Sequence, residues 1–302
     1  SARCLIQMDY PEQLVQFLIS HGDYTERTII HYREQCKLIL KVMDEVIPGK
    51  NPENMGPDDL KKLMAELRRR YTVSTQKNYV IALRRMCQIN GNTVFQEYKV
   101  RFQVDTRPTV DWLSYEDAQR LLAMWKMPMD DLIISLELLH GLRRIEILRL
   151  RISDIHLEDR FIDIRGKGGM GGKLRRIPMH PDFDAPYERW MAERAEIARR
   201  TTNYKGEDHV LVFERGGKLC KYEEFSGRGV SIRIRDMSAR LGVHFSNHTL
   251  RRTFGRELYR SGVPIAVIST IMGHKSTAQT MQYLGLELDD MAKAMERFRL
   301  KR

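Results

Sequence analysis

A short segment without periodicity, residues 104–111 (VDTRPTVD), divides the chain into two parts with different patterns. It contains Pro108 and no repeated apolar spacing, which is typical of an exposed linker between domains. A chain of 302 residues is long enough to bury a separate core on each side of such a linker. We therefore expect one domain over residues 1–103, a second over residues 112–286, and a tail over residues 287–302.

The first part has the pattern of a helical domain. Leu14, Val15 and Leu18 share one face of the segment 11–19, which is the spacing of an amphipathic helix. Breaker residues in the loop NPENMGP and in the pair Asn90-Gly91 mark where helices stop. The sequence predicts helices over residues 11–19, 25–47, 58–71 and 74–89.

Two segments of the second part alternate apolar and polar residues as strands do. They are FIDIR (161–165) and KLRRIPM (173–179), and the GKGGMGG between them is typical of a hairpin turn. The predicted fold class is therefore mainly α with a small antiparallel β-sheet, in which a helical domain precedes an α+β domain. Helical spacing predicts helices over residues 114–125, 130–140, 143–150, 187–200, 223–241, 248–261, 264–272 and 277–283.

Basic residues are in excess, and they are concentrated in one region. The formal charge is +11 and the isoelectric point is near 9.5, which favours a polyanionic partner such as nucleic acid. Between Lys61 and Arg101, ten Lys and Arg are opposed by only two Glu, a net charge of +8. A solvated helix face usually mixes both signs, so we expect a surface that binds double-stranded DNA, with simple solvation as the alternative. The candidate DNA-binding residues are Lys61, Lys62, Arg68, Arg69, Arg70, Lys77, Arg84 and Arg85.

Other classes of site are disfavoured. The four cysteines form no CxxC pair and the nine histidines no HExxH motif, so the pattern predicts free thiols and no metal site. Gly166, Gly168 and Gly171 match GxGxxG, but a strand follows them where a nucleotide-binding motif requires a helix. The amino terminus lacks the apolar core of a signal peptide, and no apolar run approaches the length of a membrane span. We expect no cofactor, no membrane association, and a cytoplasmic protein associated with DNA.

The last quarter of the chain gathers groups that suit phosphate chemistry. Tyr283 follows His274 by nine residues, and His248 and Arg251 are three residues apart, which places them on one helix face. Each of these residues alone has an ordinary explanation, such as a core tyrosine or a capping histidine. Together they indicate a phenol surrounded by cations, which predicts covalent phosphoryl chemistry on a nucleic acid backbone.

Two further candidates lie earlier in the second part. Arg143 starts a helix after Gly141, where a helix terminus and a guanidinium both suit phosphate oxygens; the alternative is a surface ion pair with Glu146. Lys167 and Lys173 flank the glycine-rich turn. A hairpin lysine in a cleft can donate a proton, and a solvated lysine is the alternative.

Three stretches carry a resemblance to a known family. HGLRRIEILRLRISDI (140–155) is similar to the first conserved box of the tyrosine recombinases, the integrase family that includes the Xer and Cre recombinases and lambda integrase. RGKGGMGGKLRRIPM (165–179) resembles the β-hairpin that carries the family's lysine, and the segment 247–284 resembles the second box. The resemblance covers most of residues 112–285, and the basic helical first domain fits the family's core-binding domain.

The resemblance implies a site-specific DNA recombinase without cofactor or metal. Tyr283 would attack the scissile phosphate to form a 3′-phosphotyrosyl link, and Glu146 would support the catalytic groups from behind. The family also implies a tetramer on paired DNA sites, linked by exchange of carboxy-terminal segments. The apolar stripe of the predicted helical tail, residues 287–302, fits such a link, and docking of the tail on its own subunit is the alternative. The implied catalytic residues are Arg143, Lys167, His248, Arg251, His274 and Tyr283.

The sequence departs from the family at two places and leaves two other functions open. Arg252 replaces a histidine often found there, and the hairpin offers both Lys167 and Lys173 as the acid. A type IB topoisomerase would use the same chemistry without exchange between sites. A DNA-binding regulator with the same fold would lack cleavage altogether.

Overall fold

The computed structural model describes residues 9–22, 24–102, 111–166, 174–202, 207–222 and 228–285. It divides into two compact units, Ser1–Arg107 and Pro108–Arg302, each with its own apolar core. Most of the predicted linker and the whole predicted tail lie outside the described residues.

The first unit is helical, as its pattern predicted. Three of its helices begin where a side chain accepts a hydrogen bond from the first turn: Asp9 before the first helix, Thr25 before the second and Thr72 before the fourth. The apolar faces of these helices meet in a core that includes Leu18, Ile39 and Leu63. The helices are α1 (Tyr10–His21), α2 (Glu26–Val46), α3 (Pro57–Arg70), α4 (Val73–Ile89) and the single turn α5 (Val94–Glu97).

The second unit combines helices with two small antiparallel sheets. Strands β1 (Ile155–His156), β2 (Phe161–Arg165) and β3 (Leu174–Pro178) form one sheet in that order. Strands β4 (Val212–Arg215) and β5 (Lys218–Lys221) form the other. The prediction of a mainly α fold with a small antiparallel sheet is thus confirmed.

Helices account for most of the second unit. Its core includes Leu132, Ile162, Phe183, Trp190 and Leu250. The helices are α6 (Tyr115–Ala123), α7 (Pro128–Ile134) with a π-helical continuation (Ser135–Leu139), α8 (Arg144–Arg149), α9 (Asp184–Arg200), α10 (Arg228–Leu241), α11 (Asn247–Arg260), α12 (Ile265–Met272) and α13 (Thr277–Leu284). Within the described part of the chain, no helix is long and apolar enough to cross a membrane.

Several elements were not foreseen from the pattern, among them the single turn α5 and the 3-10 turns Ile152–Asp154 and Pro181–Phe183. Strand β1 has two residues, too few for alternation to appear. The β4–β5 hairpin turns at Gly216 and Gly217, which both have positive φ, but its strands have only four residues each. The π-helical turn continues α7 without any change in apolar spacing. The sequence therefore predicted one helix over 130–140 where the structure changes helix type.

Helices α12 and α13 pack on α11 through a small separate apolar cluster. Ile268, Met272 and Leu284 are buried there, and Tyr283 packs against them. Gly255 of α11 allows this close approach, because a Cβ there would lie 2.6 Å from Leu284 and 2.9 Å from Met272. The helix that carries Tyr283 is therefore held against the helix that carries His248 and Arg251.

Candidate active site

The candidate site is built around the buried carboxylate of Glu146. Arg143 Nη1 lies 2.8 Å from Glu146 Oε1, and Arg175 donates to both carboxylate oxygens at 2.7 and 2.9 Å. Arg251 Nη1 is 3.8 Å from Oε2. Burial would raise the pKa of Glu146, but Arg175 and then the charge of Arg251 outweigh it and lower the pKa to about 2. The Glu146 carboxylate, which stays ionised at neutral pH, thus holds Arg143, Arg175 and Arg251 close together.

The turn before α8 fixes the first of these arginines. Gly141 has φ +65°, and a Cβ there would lie 2.3 Å from the ring of Phe254, so only glycine fits. Arg143 caps α8, and its backbone N–H donates to Glu146 Oε2 at 2.8 Å. Arg143 Nη2 also donates to the carbonyl of Gly273 at 3.3 Å. The ion pair between Arg143 and Glu146, given above as the alternative, is present, but it lies inside the site and not at the surface, because the Glu146 side chain is buried.

Arg251 projects from α11 and is buried. Its Nη1 donates to the carbonyl of Gly141 and its Nη2 to the carbonyl of Met272. Burial and the charge of Arg143 lower the pKa of Arg251 to about 10, so it remains a cation at neutral pH. Its position is therefore set by the ends of two other elements, the Gly141 turn and helix α12.

His274 follows the left-handed Gly273 that ends α12. Arg251 Nη2 lies 3.3 Å from His274 Nε2, and His274 Nδ1 lies 2.8 Å from the Thr280 hydroxyl. Burial and the charges of Arg251 and Arg143 lower the pKa of His274 to about 4. The ring is thus neutral at pH 7. Its Nε2 accepts from Arg251, and its Nδ1–H is left to donate to Thr280.

Tyr283 lies half-buried beside these groups. Its hydroxyl donates to the backbone carbonyl of His248 at 3.3 Å, and its ring meets the ring of His274 edge-on at 5.2 Å between centroids. The Cζ atoms of Arg251 and Arg252 lie 6.0 and 5.2 Å from its ring centroid. Burial raises the pKa of Tyr283, while the charges of Arg251 and Arg252 act in the opposite direction.

His248 lies in the first turn of α11 and is exposed at the surface of the site. Desolvation of its ring and then the charges of Arg252 and Arg251 lower its pKa. His248 is therefore neutral at pH 7 and able to accept a proton. Five of the six predicted catalytic residues, Arg143, His248, Arg251, His274 and Tyr283, belong to this one cluster.

The sixth predicted residue, Lys167, lies outside the described residues, as does Lys173. The strands that flank them are described: Arg165 of β2 pairs with Leu174 of β3. The carbonyl of Gly166 accepts a hydrogen bond from Arg149 at 3.1 Å.

Arg175 is a site residue that sequence reasoning missed. Besides holding Glu146, its Nε donates to the carbonyl of Ile271 at 2.9 Å. A signal for it was present in the strand alternation, because residue 175 shares a face with the buried Ile177. A charged residue at such a position requires a buried partner.

A second missed residue is Glu137 in the π-helical turn. It is fully buried; its Oε1 accepts from Asn247 Nδ2 at 2.6 Å, while Oε2 has no hydrogen-bond partner in the described residues. Asn247 is the first residue of α11, so this carboxyl supports the turn that presents His248. Burial raises the pKa of Glu137 to about 8, against the hydrogen bond from Asn247.

We predict that Glu137→Gln flattens the pH dependence of stability. The folded pKa of about 8 exceeds the ordinary 4.5, so stability from the neutral carboxyl is complete below pH 4.5 and is lost as pH rises through 8. Glutamine stays neutral throughout. Relative to the parent, the variant should gain about 4 kcal/mol between pH 5 and pH 9 in denaturant unfolding. Parallel curves for both proteins would contradict this.

Comparison with known proteins agrees with this geometry. Residues 111–288, more than half of the chain, match the model of the phage integrase family. The chain belongs to the phage integrase family. All the site residues above, from Glu137 to Tyr283, fall within the matched residues, and the resemblance inferred from the motifs is confirmed.

Several phage integrase relatives carry recombinase names. Tyrosine recombinase XerC of Pseudomonas aeruginosa (strain LESB58) is 28% identical over 190 residues, 60% of this chain and 58% of that protein. The match thus spans less than two thirds of that relative. Tyrosine recombinase XerA of Pyrococcus horikoshii is 24% identical over 243 residues, 80% of each chain. A solved structure of the Tn1549 transposon integrase in complex with transposon right end DNA shares the fold, with TM-score 0.66, 18% identity, and coverage of 96% of this chain and 99% of that chain.

The phage integrase match does not extend to the first unit, where the candidate DNA-binding residues lie on α3 and α4. Seven of the eight are exposed, and Arg85 is half-buried against the rings of Tyr24 and Tyr32. Some have acidic partners: Lys61 pairs with Asp58, and Arg70 pairs with Glu45 and Glu66. Because Asp58 and Glu45 lie outside the window 61–101, the surface is less positive than the window suggests.

In the described part of the chain, no group of three or more His, Cys, Asp or Glu side chains could hold a metal ion.

Proposed function

We propose that the protein is a site-specific DNA recombinase that cleaves and rejoins DNA through a 3′-phosphotyrosyl intermediate. One observation carries this proposal: the Tyr283 ring lies against His274 and 6.0 Å from the Cζ of Arg251, beside the arginine cluster of Glu146. A nucleophile and preorganised cations are thus in reach of the same phosphate.

The proposed step is a transesterification. The Tyr283 oxygen forms a bond to the scissile phosphorus, the bond from phosphorus to the 5′ oxygen breaks, and the phenol proton passes to His248. Arg143 and Arg251 stabilise the charge on the non-bridging oxygens, which is usually the largest single contribution to such catalysis. Attack by a second 5′ hydroxyl reverses the step and completes the exchange.

The other site residues have supporting roles in this proposal. His274 donates a hydrogen bond to the phosphate once its hydrogen bond with Arg251 opens and its proton moves from Nδ1 to Nε2. The Thr280 hydroxyl, 2.8 Å from Nδ1, then donates to that nitrogen. Lys167 protonates the leaving 5′ oxygen, with Lys173 as the alternative acid. Glu146 orients the arginines. The hydrogen bond from the Tyr283 hydroxyl to the His248 carbonyl must also open before attack.

Double-stranded DNA is the proposed partner, and similar solved structures support it. One is XerH site-specific recombinase bound to palindromic difH substrate in a post-cleavage complex, and another is a lambda integrase dimer bound to a core site. We assign DNA clamping to residues 1–103, a linker to 104–111 and catalysis to 112–286. We further propose a tetramer on paired sites, linked through residues 287–302, that acts on DNA in the cytoplasm.

The test begins with a pool of nicked duplexes of randomised sequence, which traps a covalent intermediate when the cleaved end diffuses away. Sequencing the trapped DNA gives the target site. Plasmids with two such sites are then assayed for recombination and, with one site, for relaxation. Recombination supports the proposal. Relaxation alone would indicate a topoisomerase, and binding without any adduct would indicate a regulator.

We predict that duplex binding by the first unit depends steeply on salt. About four phosphate contacts give an affinity loss of about 10² between 50 and 200 mM salt. Replacing Lys62, Lys77 and Arg84 with Gln should reduce the slope of log affinity against log salt by about one for each cation that had neutralised a phosphate. Replacing Lys37 and Lys41 of α2 with Gln is the matched control. A salt-independent affinity would refute the proposed surface.

A further inference from the structure

Arg252 has no role in the mechanism above, yet of the two arginines over the Tyr283 ring it lies closer. Its Cζ is 5.2 Å from the ring centroid, against 6.0 Å for Arg251. At this distance a guanidinium is within the range of a cation–π interaction. The side chain therefore lies over the nucleophile's ring.

The surroundings of Arg252 differ from those of Arg143 and Arg251. Those two arginines hold Glu146 and the backbone carbonyls at Gly141, Met272 and Gly273. The Nε of Arg252 is buried and has no hydrogen-bond partner among the described residues. Keeping a buried polar nitrogen unpaired costs stability, which is a sign that the position serves another requirement.

Helix geometry places Arg252 beside His248. The two residues are four apart on α11, so their side chains lie on the same face. The Tyr283 hydroxyl contacts the carbonyl of His248 while its ring contacts Arg252. Of the charged neighbours that lower the pKa of His248, Arg252 has the largest effect. Arg252 thus acts on both the nucleophile and its proposed base.

A cation over an aromatic face favours the ionised phenol. The ring of a neutral tyrosine attracts the cation through its quadrupole, and ionisation adds a full negative charge that is delocalised into the same ring. The attraction to Arg252 therefore grows as the proton leaves. Arg252 itself neither gains nor loses a proton in this step.

We propose that Arg252 is a positioning residue that orients the Tyr283 ring and stabilises its phenolate. The proposal rests on the proposed function, since it deepens the role of the same site. It assigns a role to a position where the sequence departs from the family's frequent histidine.

The test uses 3,5-difluorotyrosine at position 283, whose phenol ionises near neutral pH and whose 19F chemical shift reports ionisation without DNA. Arg252→Gln should raise the ionisation midpoint by about one pH unit, and Arg252→Lys should restore most of the shift because it keeps the cation. Arg260→Gln, at the exposed end of the same helix, is the control and should leave the midpoint unchanged.

Cleavage of the trapped target provides the second readout. With natural tyrosine, Arg252→Gln should cleave about tenfold more slowly at neutral pH and recover as pH rises, whereas a purely structural defect would slow cleavage equally at all pH values. An unchanged 19F midpoint in Arg252→Gln would overturn the inference. If the parent forms no adduct, the proposed function fails, and the 19F midpoint still decides whether Arg252 acts on the phenol.

Discussion

Tyr283→Phe is expected to abolish the covalent adduct with nicked duplex DNA and to leave duplex binding nearly unchanged. Phenylalanine keeps the ring that packs on the Ile268, Met272 and Leu284 cluster, so the fold of α13 should persist. It removes the oxygen that would bond to phosphorus. Affinity should persist because phosphate contacts elsewhere dominate binding. Denaturing gels measure the adduct, and mobility shift measures binding.

Tyr259→Phe is the matched control. Tyr259 is also partly buried against the same apolar cluster, but the described contacts do not place it at the Glu146 cluster. It should form the adduct at the parent's rate. An adduct in the Tyr283→Phe protein would exclude Tyr283 as the nucleophile.

Arg251→Lys is expected to lower the rate of single-turnover cleavage by about 10² to 10³. The guanidinium reaches the carbonyls of Gly141 and Met272 with two different nitrogens and also contacts His274. A single ammonium cannot reproduce this fork, although the charge is kept. Quenched-flow cleavage of the trapped target measures the rate, and thermal unfolding measures any accompanying loss of stability.

Arg256→Lys separates this effect from a general disturbance of α11. Arg256 is also buried on α11, where its guanidinium lies over the ring of Trp112. We expect it to lose stability without a comparable loss of cleavage. Equal slowing in the two variants, or cleavage by Arg251→Lys within a few-fold of the parent, would contradict the role given to Arg251.

The sequence predicted the proximity of site residues wherever they are separated by a few residues within one helix or its cap. His248 and Arg251 share a helix face because they are three residues apart, and that relation holds in any α-helix. Tyr283 follows His274 within one short helix and its cap, so their proximity is also largely local. The close approach of Arg143 to Arg251 could not be predicted from local spacing, because no periodicity relates residue 143 to residue 251. Its prediction depended on the motif resemblance.

What the sequence did not predict depends on contacts between distant elements. Strand alternation could place Arg175 on the same face as the buried Ile177, but only the fold shows that this face meets Glu146, while the adjacent Arg176 pairs with Asp163. In the sequence pattern Glu137 is an ordinary helical glutamate. Only the structure shows that it lies buried in the π-helical turn. The local pattern also overestimated the positive charge of the basic surface, because Glu45 pairs with Arg70 from another helix.

Mass spectrometry of the trapped adduct locates the bond on which this mechanism depends. The adduct is digested with protease and nuclease, and the peptide that retains a 3′-linked nucleotide is fragmented to find the modified side chain. We predict that the phosphate is attached to the Tyr283 oxygen. A nucleotide attached to any other residue, or no adduct with any duplex of the pool, would contradict phosphotyrosyl chemistry at this site.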